Sequence, residues 1–212
     1  MIATLVGCSF KRSDLSSNLD SSIKEAITNK PAKLTTNHKD LFSYYVPSNV
    51  GIKAKKENAT IFVLDNYEVI MNLNIAGIIT KRFYEASVID FESLDNIIYK
   101  NNGTYTDYKG VTGSYSVYLF DINHKDSYYV MIQTEYVSYF SILPISLIPD
   151  FTQTFLYMGR TIEVQPDQIV ELYSNKIQSD YNIEYSDLFK EETPVSGLLE
   201  DFIKESEKKW KK

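Results

Sequence analysis

Cysteine is nearly absent from this chain, with a single residue, Cys8, among 212. One cysteine cannot close an intrachain disulfide. With only two histidines, His38 and His124, no zinc site of the usual Cys/His kind can be assembled. Tryptophan occurs once, at Trp210, and no Walker loop, G-x-G-x-x-G turn or G-x-S-x-G nucleophile elbow occurs. No apolar run approaches the ~18 residues that a membrane-spanning helix requires. Positive charge is in deficit as well: 22 Lys and Arg against 28 Asp and Glu leave a net charge of −6. Nucleic acid is a poor fit for such a chain, because binding a phosphate backbone needs clustered cations.

What remains is an ordinary globular composition, 43% hydrophobic and 24% charged, at a length that suits one domain with tails. Tyrosine stands out, with 17 residues against 11 Phe.

The lone cysteine has a context. Leu5, Val6, Gly7 and Cys8 match a lipobox, the cleavage signal of bacterial lipoproteins, and resemble the signal-peptide end of such a surface lipoprotein. They close an apolar run from Met1 to Val6, and a polar stretch from Ser9 to Asp40 follows. The resemblance implies that Cys8 carries a diacylglyceryl group and anchors the protein on the outer face of the cytoplasmic membrane. Two acyl chains are about the minimum for stable anchoring. A full signal peptide has a basic segment and a longer apolar core than the seven residues before Cys8 provide, so a start lying further upstream is implied. The other reading makes Ile2 to Cys8 a buried strand, with Cys8 a small core residue.

Periodicity divides the rest. Residues 9–40 show no sustained apolar period and read as linker, apart from a short helix over Asn18 to Thr28 with Leu19, Ile23 and Ala26 or Ile27 on one side. Residues 41–178 read as an α+β domain, and residues 179–212 as a helical extension whose helix, Ser196 to Lys212, has acids early and lysines late. Leu41 to Val46 is a strand ending at Pro47. Thr60 to Leu64 and Glu68 to Ile75 form a hairpin around Asp65-Asn66. Ile78 to Glu85 is a helical turn or bend, and Phe91 to Tyr99 a helix or loop. Thr104 to Lys109, Ser114 to Ile122 and Ser127 to Val137 form an antiparallel meander. Pro144 to Met158 and Pro166 to Lys176 read as helices, with Arg160 to Val164 a short strand between them. The sum is an antiparallel sheet of about six strands packed against helices.

Two stretches carry a further resemblance. Phe42-Ser43-Tyr44-Tyr45-Val46-Pro47 and Thr154-Phe155-Leu156-Tyr157-Met158-Gly159-Arg160-Thr161 are similar to the first strand and last helix of the PsbP-like family. Pro47 is followed by Ser48 and Asn49 where that family usually has Trp or Gly. The resemblance implies a fold and, with it, a binding or assembly role rather than catalysis.

Chemistry is sparse. His124 with Asp121 and Asp126 could ligate a metal, but a solvated turn explains them better. Asp90, Glu92 and Asp95 could mimic a glycosidase pair, but acids at a helix start explain them better. No cofactor is implied. The lysines near Trp210 could touch anionic lipid, though solvation of a helix suffices. Tyr118, Phe120, Tyr129 and Met131 share one side of two neighbouring strands, opposite Val117, Leu119, Val130 and Ile132, and form the candidate binding face for a glycan, peptide or protein. The competing expectation is that helices cover this face. The functional expectation is a lipid-anchored cell-envelope binding or accessory protein. Its alternatives are an immunity or exclusion lipoprotein capturing a peptide or toxin, and a cell-envelope hydrolase.

Overall fold

A computed structural model of the chain describes residues 12–84, 96–124 and 127–179. Helix α1 (Arg12–Thr28) opens it, followed by strands β1 (Asn37–His38) and β2 (Phe42–Tyr44). Strands β3 (Gly51–Lys55), β4 (Ala59–Leu64) and β5 (Tyr67–Leu73) come next, then helix α2 (Ile75–Tyr84). The meander is β6 (Ile97–Thr106), β7 (Thr112–His124), β8 (Ser127–Thr134) and β9 (Val137–Pro144). A 3-10 turn leads into helix α3 (Ile148–Gly159), and β10 (Glu163–Val164) and α4 (Pro166–Ser179) follow.

The protein is α+β. Seven strands form one antiparallel sheet in the order β3-β4-β5-β9-β8-β7-β6, and β1, β2 and β10 form a second, small antiparallel sheet. Alternation decides which side chains enter the core. Phe62 pairs with Val69, Val117 with Ile132, Leu119 with Val130, and Ile132 with Tyr139, and all of these are buried on one face. The β4–β5 hairpin turns at Asp65 and Asn66, whose φ values of 47° and 69° are those of a type I′ turn. That turn fixes the register of both strands.

Helix α3 closes the core face. Phe151, Phe155 and Met158 bury one side of it. The Phe155 ring lies 5.2 Å from Tyr139 and 5.9 Å from Phe62. Pro149 sits in the first turn, where no intrahelical bond is lost.

Two expectations are corrected here. Residues 12–28 are not a free tether: Leu15, Leu19, Ile23 and Ala26, spaced four, four and three apart, are all buried in the main core. The spacing carries one stripe round the helix, and α3 receives it. Burying each of the larger side chains contributes about 1.5–3 kcal/mol, which outweighs the polar composition around them. Ile97 to Tyr99 belongs to strand β6, not to a helix or loop, because it pairs with Phe120 and Leu119 of β7. The lipobox residues, the candidate helix over residues 196–212 and the acidic cluster Asp90, Glu92 and Asp95 lie outside the described residues.

Arg160, 3% exposed, ties α1 to this frame. Its guanidinium donates to the carbonyls of Ala26, Asn29 (2.8 Å) and Thr106 (2.7 and 3.2 Å). The charge thus sits at the C-terminus of α1, where the helix dipole favours a cation. Burial lowers its pKa, and the charge is held by carbonyl dipoles instead of a carboxylate. Lys39 ties the small sheet to the β3–β4 hairpin in a similar way. Its ammonium donates to the carbonyls of Lys56, Glu57 and Ala59 and lies 5.0 Å from the centre of the Phe42 ring. Burial, then the neighbouring Lys55, lowers its pKa to about 8, while the three carbonyls and the ring favour the charged form. We take it as charged at neutral pH.

Candidate functional site

The four residues read as a binding face do share one side of the sheet. Tyr118 pairs with Met131 and Phe120 with Tyr129 across β7 and β8, and Phe140 of β9 joins them. Their rings stack: Tyr118 on Phe120 at 6.1 Å, Phe120 against Tyr129 at 5.4 Å, Tyr129 on Phe140 at 6.2 Å. Yet Tyr118, Phe120 and Met131 are only 2%, 8% and 3% exposed. Tyr129 is partly buried, and burial raises its phenol pKa. These residues form a second, smaller hydrophobic cluster on the side away from the main core. A platform for an external ligand has to be open, and this one is covered.

An open site lies at the other side of the molecule, at the tip of the β4–β5 hairpin. It is a cleft of about 630 Å³. Four segments build its walls. The last turn of α1 and the residues after it supply Ala26, Asn29 and Lys30. The loop between β2 and β3 supplies Tyr45, Pro47 and Asn49. The hairpin tip gives Leu64 and Asp65, and α3 gives Asp150, Gln153, Thr154 and Tyr157. The four α3 residues fall at i, i+3, i+4 and i+7, so they share one helical face. The neighbouring face of the same helix holds Phe151 and Phe155 in the core.

Contacts within and behind the walls fix these positions. The Tyr157 hydroxyl donates to the Lys30 carbonyl at 3.1 Å. The Tyr45 ring meets Tyr157 edge-on, with centroids 6.3 Å apart and planes at 80°. The Tyr45 backbone N–H donates to Thr161 Oγ1 at 3.1 Å, and Thr161 Oγ1 donates to the Met158 carbonyl at 2.7 Å. Val50 N–H closes the β2–β3 loop onto the Pro47 carbonyl at 3.1 Å. The two aromatic rings are therefore held from the helix side before any ligand arrives.

The lining is chemically mixed. It holds two amides or hydroxyl groups for every charge of either sign: Lys30 is the cation, and Asp65 and Asp150 are the carboxylates, while Asn29, Asn49, Gln153, Thr154, Tyr45 and Tyr157 are neutral and polar. No serine, cysteine or histidine lines it, so neither a Ser–His nor a Cys–His pair can form from its walls. Among the described residues, no three His, Cys, Asp or Glu side chains come together as a metal site. His38 is exposed on β1, and Asp126 is outside the described residues.

Sequence reading found none of this cleft as a site. Tyr45, Thr154 and Tyr157 appeared only as parts of fold motifs, and Asp65 only as a turn residue. The walls come from segments up to 131 positions apart, Ala26 to Tyr157, and no local period links them.

No family model and no curated protein matches the chain. Among solved structures, a crystal structure from Bacteroides thetaiotaomicron aligns with 59% of this chain and 45% of its own, at 11% identity and a TM-score of 0.26. The match thus spans less than half the length of that protein.

Proposed function

We propose that the protein is a non-catalytic binding protein of the bacterial cell envelope, anchored through a diacylglyceryl group on Cys8, with the cleft at the hairpin tip as its ligand site. The observation that supports the binding role is the cleft itself. Its volume falls within the range of about 300–1,000 Å³ usual for small-molecule sites. Its polar groups converge from four separate segments of the chain, and its walls hold no Ser–His or Cys–His pair. The address rests on the Leu5-Val6-Gly7-Cys8 sequence; no described helix is long and apolar enough to cross a membrane.

The test has two arms. The domain is incubated with neutral oligosaccharides, short peptides and polyamines, while its melting temperature and the integrity of each compound are followed. A rise in melting temperature with every compound recovered intact is the expected result. Conversion of any compound to product would overturn the non-catalytic reading. In the second arm, the chain is expressed behind a complete signal peptide, and Cys8→Ala is expected to move it from membrane to soluble fractions. An intact, unmodified Cys8 in membrane-bound protein, shown by mass spectrometry, would remove the anchor.

A further inference from the structure

The walls of the cleft restrict what it can hold. Three ligand classes meet them badly. An anion faces two carboxylates, Asp65 and Asp150, against the single cation Lys30. An apolar ligand finds Ala26, Pro47, Leu64 and the two tyrosine rings to bury against, but it would strip water from amides and hydroxyls without replacing their hydrogen bonds. A multivalent cation needs several converging carboxylates or imidazoles, and among the described residues no three His, Cys, Asp or Glu side chains come together.

A ligand whose own groups both donate and accept fits all of these partners at once. Hydroxyls do this. Asn29, Asn49 and Gln153 can each give and take a hydrogen bond from neighbouring hydroxyls, and a carboxylate accepts from two of them. The Tyr157 hydroxyl spends its proton on the Lys30 carbonyl, which leaves its lone pairs to accept. The rings of Tyr45 and Tyr157 add a surface of a different kind. An aromatic face is electron-rich, and it attracts the slightly positive C–H bonds on the flat side of a pyranose. Because the two planes stand at 80°, one ring can underlie a sugar while the other borders it.

We infer that the cleft takes a short, uncharged saccharide, stacked on Tyr45 or Tyr157 and hydrogen-bonded through Asp150, Gln153 and the asparagine amides. This rests on the cleft being the ligand site, as proposed above. Tyr45, held through its backbone, and Asp150, exposed in the first turn of α3, are the two residues on which recognition depends most.

Isothermal titration with maltotetraose, cellotetraose and chitotetraose tests it, with tetraglycine and spermine as non-sugar probes. At least one tetrasaccharide is expected to bind, with an affinity that barely changes with salt, since no net charge is neutralised. Asp150→Asn and Tyr45→Ala are each expected to weaken that binding by about tenfold or more, and Tyr45→Phe by much less. Should Tyr45→Ala fail to fold, Asp150→Asn carries the test at an exposed position. Saccharide binding that survives both substitutions overturns the inference. Binding of tetraglycine or spermine alone, weakened by the same substitutions, overturns the saccharide class and leaves the cleft as a ligand site. Silence from all five probes removes both.

Discussion

Tyr44 and Tyr139 are both fully buried, but their hydroxyls have different fates. The Tyr44 hydroxyl shares a hydrogen bond of 3.0 Å with Thr60 Oγ1. The Tyr139 hydroxyl has no partner among the described residues, and its ring earns its place by packing on Phe155. A buried hydroxyl left unpaired costs about 1–3 kcal/mol. The two Phe substitutions should therefore have opposite signs. Tyr139→Phe is expected to raise unfolding stability, or at worst leave it unchanged, and Tyr44→Phe to lower it by about 1 kcal/mol. Urea unfolding of the two variants beside the parent decides this, and a Tyr139→Phe protein less stable than Tyr44→Phe would contradict it. Two other tyrosines show why the residue type is so frequent here. The Tyr115 ring lies over Gly103 and the Tyr105 ring over Gly113, in two cross-strand pairs of β6 and β7. A Cβ on Gly103 would come within 2.6 Å of the Tyr115 hydroxyl oxygen, so each glycine makes room for the ring opposite.

At the scale of elements, α1 carries the largest departure from expectation. Its polar residues outnumber its apolar ones, and a reading weighted by composition makes it a tether. Four buried positions and the grip of Arg160 on its last carbonyls make it part of the core. Leu19→Ala is accordingly expected to cost about 2–5 kcal/mol in urea unfolding, and a change under ~1 kcal/mol would return α1 to the status of a loose appendage. Other elements were legible to different degrees. The β4–β5 hairpin could be read because alternation and the Asp65-Asn66 turn agree. Strand β9 could not, because β8 passes into it at Glu135 and Tyr136 with no glycine, proline or asparagine to mark the turn. Strand β3 is exposed on most of its length and carries Lys53 and Lys55, which blunt an open sheet edge but erase its alternation. The aromatic face was correctly placed on one side of β7 and β8. Whether it was open or covered depended on tertiary packing, which no strand pattern contains. The cleft was illegible for the same reason: each of its walls is a local structure with its own local explanation.

For the molecule as a whole, seven phenols, those of Tyr44, Tyr99, Tyr105, Tyr115, Tyr129, Tyr136 and Tyr139, have pKa values raised above 10, with burial the first cause in each. The unfolded chain ionises them near their ordinary value, so the folded state binds more protons above it. Their contribution to stability is fully present below about pH 10 and is lost as pH climbs toward their folded values. Urea midpoints are expected to fall steeply beyond about pH 10.5, with the phenolate absorbance of these seven tyrosines appearing together with the loss of structure. Phenolate absorbance amounting to all 17 tyrosines at about pH 10 in a still-folded protein would show that these seven rings are reached by water.

The docking of α1 also sets a distance. Arg12, its first residue, is four positions from Cys8. Whatever conformation the intervening residues adopt, four residues of chain reach at most about 14 Å. With a lipid on Cys8, the folded domain would be held like a boat on a short mooring, within a single headgroup layer or so of the bilayer. It could rotate there but not sweep outward through the wall. Any ligand would have to be carried down to the membrane surface, or be made there.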